Sequence, residues 1–258
     1  MELTKITQAL DLYIRPQTFP IAVRMVSSIQ EIPEKARMPK RDLGIPLAAC
    51  QGLALARRYG WLIAMSGEDM LCPLGALTLG FVPVKAKFLD GSFDIPFWVK
   101  DQDIRAKVAQ ALPRLESGKY SHLLAAPIHR ANFEPQVIVV YASPAQIARL
   151  IQAAVYGTGR PVVSSSTGGF ACGEEITRTM LSDECQFIVT GGGDRTIAQA
   201  QDHEAVFAMP ASKVEAIVEG LEGTHSAGMR YPTPSFLTFK AQFPPAFDEL
   251  MDYLKQSS

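Results

Sequence analysis

Val137, Ile138, Val139 and Val140 form an unbroken β-branched run within Gln136 to Tyr141, too short for a helix, which predicts a buried strand. Just beyond it, Ser143-Pro144-Ala145-Gln146 reads as a capping box with proline at the first helical position, and Ile147, Leu150, Ile151, Ala154 and Val155 follow at helical spacing. Strand, tight turn and capped helix make a βα unit. The pattern recurs at Ala205 to Pro210, where Ser212 and Glu215 form a second capping box and Val214, Ile217, Val218 and Leu221 line one face. Gly220 and Gly223 predict the end of that helix. Near the N-terminus Ile6, Ala9, Leu10 and Tyr13 predict a helix, and Phe19 to Val26 a strand starting at or after Pro20. Gln186 to Val189 predicts a further strand, and Phe247, Leu250, Met251 and Leu254 a closing amphipathic helix. Residues 30–46, with Pro33, Pro39 and Pro46, read as a surface loop, and residues 224–245 as an extended strap whose Phe236-Leu237-Thr238-Phe239 forms a short edge strand.

One order of residue types occurs twice. Leu47, Ala48, Leu53, Ala54 and Leu55 form a helical stretch ending at Arg57-Arg58-Tyr59-Gly60; Trp61-Leu62-Ile63-Ala64, the turn Ser66-Gly67-Glu68-Asp69 and Cys72 follow. Ile147, Ala148, Ala153, Ala154 and Val155 likewise lead through Gly157-Thr158-Gly159 to Pro161-Val162-Val163, Ser166-Thr167-Gly168-Gly169 and Cys172. The stretches 46–81 and 146–181 therefore read either as two copies of one helix–strand–cysteine–helix unit or as two ordinary βα elements that coincide. The expected fold is a single α+β domain over residues 1–258, with two related halves around a mixed sheet if the repeat is a duplication.

Composition narrows the function classes. The 258 residues are 47% hydrophobic, enough for a substantial core. With 25 basic and 26 acidic residues the chain lacks the clustered positive charge that nucleic acid or an anionic membrane surface calls for, and Arg37, Lys40 and Arg41 read as a solvated loop. The N-terminal Met1-Glu2-Leu3-Thr4-Lys5 has no signal-peptide pattern, and the run Pro73 to Val84 is too short and too broken to span a membrane, so a cytoplasmic location is expected. In that reducing compartment Cys50, Cys72, Cys172 and Cys185 read as core thiols, ligands or reactive groups rather than disulfides.

No G-x-S-x-G elbow, H-E-x-x-H, P-loop or C-x-x-C occurs, and His122, His129, His203 and His225 are scattered without ligand spacing. The loop Thr190-Gly191-Gly192-Gly193-Asp194-Arg195 follows a strand and carries enough glycine to expose N–H groups to an anion, with Arg195 as a permanent charge. Ser164-Ser165-Ser166-Thr167-Gly168-Gly169 brings hydroxyls and flexible backbone up to Cys172. Were both loops to meet around the cysteines, they would donate hydrogen bonds to sulfur or to a bound ligand.

Several segments resemble the uncharacterised family catalogued as domain of unknown function 169. These are Ala49-Cys50-Gln51-Gly52 through Arg57-Arg58, Glu68-Asp69 through Cys72-Pro73-Leu74-Gly75-Ala76 to Leu79-Gly80, and Ala126-Pro127 through Phe133-Glu134-Pro135 to Tyr141-Ala142-Ser143-Pro144-Ala145-Gln146. The likeness continues through Arg149-Leu150-Ile151-Gln152-Ala153 and Cys172 to Glu219-Gly220-Leu221 and Pro232-Thr233-Pro234. It implies that Cys50, Cys72 and Cys172 stand where relatives also carry cysteine, which favours a soft metal or iron–sulfur centre. It also implies two departures: Gly191 where relatives carry a further cysteine, and Met70 where they carry a histidine, leaving Cys185 or a non-protein ligand to complete a four-ligand set. The expected function is a metal or iron–sulfur protein with a redox role and an unidentified redox partner. The alternatives are a non-redox small-molecule binder gripping its ligand with Gly191, Gly192, Gly193, Asp194, Arg195 and Ser166, or a thiol-dependent enzyme with His122 or His129 as base.

Overall fold

The computed structural model describes residues 3–93, 99–233 and 242–256. Six strands, β1 (Ile21–Val26), β2 (Ile63–Ser66), β3 (His122–Pro127), β4 (Val137–Ala142), β5 (Gln186–Val189) and β6 (Ala205–Pro210), form one sheet in the order β2-β3-β1-β4-β6-β5. Every ladder is antiparallel, which corrects the expected mixed sheet. β1 and β2 do run in the same direction, but β3 lies between them; β4 and β5 are separated by β6 in the same way. Each parallel pair is thus filled by a later strand, and the class remains α+β.

Both faces of the sheet are covered, so β3, β4 and β6 are buried at every position and read as continuous apolar runs rather than alternating ones. Helices α1 (Leu3–Tyr13), α6 (Pro144–Tyr156) and α9 (Val214–Ser226) lie on one face, packing Ile6, Leu10, Ile147, Leu150, Ile217 and Leu221 on Ile138, Val140, Phe207 and Met209. Helix α2 (Ala49–Tyr59) covers the other face, setting Leu53 and Ala56 on Ile21, Val23, Val139 and Ala208. Short helices α3 (Pro73–Thr78), α4 (Ala86–Leu89) and α5 (Gln102–Ala111) fill the long connection from β2 to β3, α7 (Thr179–Ser182) precedes β5, and α8 (Gly192–Ile197) follows it. The C-terminal α10 (Pro245–Gln256) forms as its amphipathic pattern predicts, with all its residues exposed. None of the described helices is long and apolar enough to cross a membrane. The expected strand at Phe236 to Phe239 lies outside the described residues.

Local chemistry explains the helix ends. At α6 the Gln146 carboxamide accepts from Ser143 N at 2.8 Å and donates to the carbonyls of Ile14 and Arg15 at 2.9 and 2.8 Å, so one side chain starts α6 and holds the end of α1. The second capping box does not form. Ser212 instead donates to Asp183 at 2.6 Å, and α9 starts at Val214 after a 3₁₀ turn over Ala211–Lys213. Nor do Gly220 and Gly223 end α9, which runs on to Ser226. They lie where α9 crosses α6: a Cβ on Gly220 would run into the Ala153 carbonyl, and one on Gly223 into the Tyr156 ring.

The repeated order of residue types takes two different shapes. β2 pairs with β3, whereas Pro161, Val162 and Val163 belong to no strand and Val163 is exposed. α2 and α6, aligned by that order, cover opposite faces of the sheet.

Alanine improves helix propensity over glycine by about 1 kcal/mol, but overpacking against an immobile backbone costs ~1–3 kcal/mol. Because Gly220 meets a carbonyl rather than a flexible side chain, the clash dominates. Gly220→Ala is expected to lower stability by about 1–2 kcal/mol, read as a lower urea midpoint at unchanged m-value.

Candidate functional site

Three cysteines converge on the α2 side of the sheet through backbone anchoring. Leu47, just before α2, donates to the Asp69 carbonyl at 2.8 Å and accepts from Leu71 N at 2.9 Å, so the segment entering Cys72 lies along the start of α2, where Cys50 sits in the first turn. Buried Asp69 fixes that segment by accepting from Ser66 N at 2.9 Å, the Ser66 hydroxyl at 2.8 Å and Lys40 N at 2.9 Å. Cys72 stands at the N-cap position of α3 without a side-chain capping bond, and a Cβ on Gly75 in α3 would stand 3.5 Å from the Ala49 Cβ and 3.8 Å from the Cys72 Cβ. At the far end of α3 the Thr78 hydroxyl donates to the Pro113 carbonyl and stands 3.2 Å from the Thr177 hydroxyl, which donates to the Thr78 carbonyl at 3.1 Å. α3 therefore joins the Cys72 segment to a π-helical turn over Gly173–Arg178, which Cys172 immediately precedes. Such turns are rare and gather at functional sites.

The glycine loop closes the same space. Instead of an open anion cradle it forms α8, whose Asp194 reaches back to accept from Gly191 N at 3.1 Å through Oδ2. A Cβ on Gly193 would lie 4.0 Å from the Cys50 sulfur, an ordinary van der Waals contact, so the start of α8 packs beside Cys50. Asp194 is only 4% exposed, and its Oδ1 has no hydrogen-bond partner. Arg195 turns the other way, onto Asp202 at 2.8 Å and the Thr190 carbonyl at 3.3 Å. Ser166 is also engaged: its hydroxyl and the backbone and hydroxyl of Thr167 bind the buried Glu174 carboxylate at 2.7, 2.7 and 3.1 Å. Of the three predicted ligand-contacting side chains, Asp194, Arg195 and Ser166, the last two are thus committed within the protein.

The electrostatics show which groups share one environment. Burial, and then the charge of Asp194, push the Cys50 thiol far up, with Glu175 and Cys72 adding to the effect. Cys172 is raised by burial and then by Cys50, Asp194, Glu175 and Cys72. Glu175, fully buried in the π-helical turn, is held well above the ordinary carboxylate range by burial and by Asp194, and Asp194 is itself raised by burial. The Tyr141 hydroxyl faces Glu175 at 3.3 Å, and burial followed by that carboxyl raises it too. The positive group facing this collection is Arg57, 1% exposed, with its guanidinium 4.0 Å above the Tyr141 ring. It is already paired bidentately with Glu204 at 2.8 and 3.1 Å.

Cys185 stands apart from this group. It lies in the core of the opposite face, beside a cavity of about 250 Å³ lined also by Ala154, Val162, Val163 and Ile217, and burial pushes its thiol up to about 12. The sheet separates it from the other thiols, so it cannot complete a set with them. The histidines are elsewhere too: His122 meets the Ser121 hydroxyl, His129 packs on Phe19, His203 meets Gln17, and His225 packs on Tyr13. Met70 places its sulfur beside Gly75 and packs against the core. Among the described residues, no three His, Cys, Asp or Glu side chains stand close enough together to hold a metal ion. Sequence reasoning passed over Tyr141, Glu174, Glu175 and Glu204. The one available signal was Glu174-Glu175, an acidic pair placed directly after Cys172 and before an apolar Ile176.

The fold and this site define a three-layer α+β protein with a thiol- and carboxyl-lined junction on one face of an antiparallel sheet. The family model described as Uncharacterised ArCR matches residues 9–220, and the chain belongs to that family, domain of unknown function 169. It is similar to the uncharacterized protein MJ0308 of Methanocaldococcus jannaschii, with 25% identity over 205 residues that cover 78% of this chain and 86% of that protein. No solved structure matches.

Two stability measurements separate the charges at this junction. Removing one partner of a buried ion pair typically costs ~3–5 kcal/mol, so Glu204→Gln is expected to lower stability at pH 7 by about 3 kcal/mol. Burial opposes ionisation of Glu204, but hydrogen bonds from Arg57 and Gln201 N outweigh it and hold the folded carboxyl below 4.5. Its contribution is therefore full above pH 4.5 and lost as pH falls through the folded value, so the gap between wild type and Glu204→Gln narrows there. Glu175 has the opposite sign. Above its ordinary 4.5 the unfolded chain ionises while the folded one stays protonated, so Glu175→Gln is expected to stabilise the metal-free protein at pH 7 and to make no difference below pH 4.5.

Proposed function

We propose that this protein holds a thiophilic metal centre, a single metal ion or an iron–sulfur cluster, on Cys50, Cys72 and Cys172, and that a redox role follows if the centre is a cluster. The observation that carries this reading is the gathering of three thiols from separate segments with two buried carboxyls, Glu175 and Asp194, at a junction whose facing cation already serves Glu204. Without a metal, burial opposes ionisation of both acids and holds Glu175 well above the ordinary carboxylate range; a bound cation reverses that logic and deprotonates its thiols outright. The side chains have to draw inward to coordinate, since they do not form a closed ligand group as they stand. The roughly 10–16 kcal/mol with which structural zinc binds is large against such a rearrangement. The rival readings find less support. Arg195 and Ser166 are engaged elsewhere, and a catalytic thiol needs a depressed pKa beside a base, whereas Cys50 and Cys172 are raised and no histidine adjoins them.

Anaerobic purification with metal analysis and a visible spectrum, repeated after reconstitution with iron and sulfide, tests the proposal. Metal or cluster absorption is expected in the wild type and in Cys185→Ser, and its loss in Cys50→Ser, Cys72→Ser and Cys172→Ser. A colourless wild type that stays metal-free after reconstitution would overturn the reading.

A further inference from the structure

Helix α10 carries an apolar stripe that the rest of the chain leaves uncovered. Phe247, Leu250, Met251 and Leu254 recur at i, i+3, i+4 and i+7 and so share one side of the helix, yet each is more than half exposed. Isolated helices shorter than about 12–15 residues are marginal in water, and most helical stability in proteins comes from packing an amphipathic face. The 12 residues of α10 therefore call for a surface to lie on.

A matching surface stands open on the same chain. In the connection from β2 to β3, α3 and α4 flank a groove of about 730 Å³ walled by Leu74, Leu77, Val82, Ala86, Phe88 and Phe93. Its two charged lining residues, Lys85 and Lys87, are both basic. α10 has the opposite balance, with Asp248, Glu249 and Asp252 against Lys255, and Asp248 borders the apolar stripe. Stripe and groove thus complement each other in both apolar character and charge. They do not meet within one molecule, because the stripe of α10 is exposed. A second copy of the chain offers the same two surfaces, and exchange of helices in both directions leaves neither a helix nor a groove uncovered, which closes the assembly at two.

We propose that α10 docks into the α3–α4 groove of a second copy of this chain, so that two copies exchange C-terminal helices in a reciprocal dimer. This is the helix-in-groove mode of recognition, read through anchors at i, i+3, i+4 and i+7. Leu250 and Met251, in the middle of the stripe, are the central anchors, and Asp248 at its edge faces the lysines of the groove. The interface involves neither the thiols nor the carboxyls of the α2 face.

Light scattering on the full chain after size separation, at a series of concentrations, measures the dimer dissociation constant. Leu250→Glu with Met251→Glu alters the helix, and Val82→Glu with Ala86→Glu alters the groove; all four residues are exposed, so both variants keep the fold of the monomer. The wild type is expected to be a dimer, and each variant alone to weaken it by ~100-fold or more, since two apolar anchors are lost from every contact. Mixed in equal amounts, the two variants are expected to form a 1:1 dimer weaker than the wild type, because one contact still joins an intact helix to an intact groove. A monomeric wild type, in which α10 serves its own chain or none, would overturn the proposal. So would a dimer that either variant leaves intact, or two monomeric variants that fail to pair when mixed.

Discussion

The guanidinium of Arg57 is the interaction on which the α2 face depends. It projects from the last turn of α2, pairs with Glu204 in front of β6, donates to the Gln199 carbonyl at 3.2 Å and the Thr18 hydroxyl at 3.4 Å, and lies flat over Tyr141 at the end of β4. One side chain thereby ties α2 and the segment before β1 to the paired ends of β4 and β6. Burying such a charge costs several kcal/mol, and the fork onto Glu204 and the aromatic face beneath it are the geometry that offsets that cost. Lysine would not serve, because a point charge cannot bridge both carboxylate oxygens and stack at once. Arg58 adds a second cation to Glu204 at 3.2 Å, so the acid has two cations while Glu175 faces only Arg57.

That uneven distribution separates the two faces of the sheet. Under α1, α6 and α9 the packing is almost wholly apolar, and the glycines of α9 are used to bring helices close. Under α2 the core gives way to Tyr141, Glu174, Glu175, Asp194 and the thiols. Glu174 has three donors and shapes the serine loop. Glu175 is different in kind, since burial and the charge of Asp194 raise it well above the ordinary carboxylate range, while burial raises Asp194. A fully buried acid beside thiols, such as Glu175, is the kind of strained group that gathers at functional sites.

Local patterns carried much of the fold. β1, β4, β5, β6, α1, α2 and α6 can be read from runs and caps because each is decided within about ten residues of chain. The antiparallel sheet cannot, because whether β3 slots between β1 and β2 depends on a partner some sixty residues away from β2 along the chain. Glycine punctuation is ambiguous for a physical reason. Gly220 offers the same lack of a side chain to a helix end and to a helix crossing, and only the neighbouring Ala153 carbonyl distinguishes them. At the site, the cysteines stood out by type and three of the four do converge, yet Arg57 read as a helix-terminal charge and Tyr141 as one more strand residue. Isolated polar residues reveal a role only when the fold shows what they face. The glycine loop misled differently: Asp194 caps it into a helix, so the backbone donors that an anion would need are turned to the protein's own use.

The topology explains why the site needs both halves of the chain. Strands β1, β2 and β3 make one side of the sheet and β4, β5 and β6 the other, each with its second strand at the edge and its third inserted between. Cys50 and Cys72 come from the first side, on α2 and at the head of α3; Cys172, Glu175 and Asp194 come from the second, around the π-helical turn and α8. The halves meet where β1 pairs with β4, and Tyr141 on β4 faces both Arg57 from the first half and Glu175 from the second. Neither half holds more than two of the thiols, so the junction exists only when the sheet is complete. Its composition is consequently coupled to the fold: the same contact between α3 and the turn after Cys172, through Thr78 and Thr177, that closes the domain also sets the spacing of Cys72 from Cys172. A ligand that drew those two sulfurs together would tighten that seam, and a substitution that loosened the seam would spread the sulfurs without touching either of them.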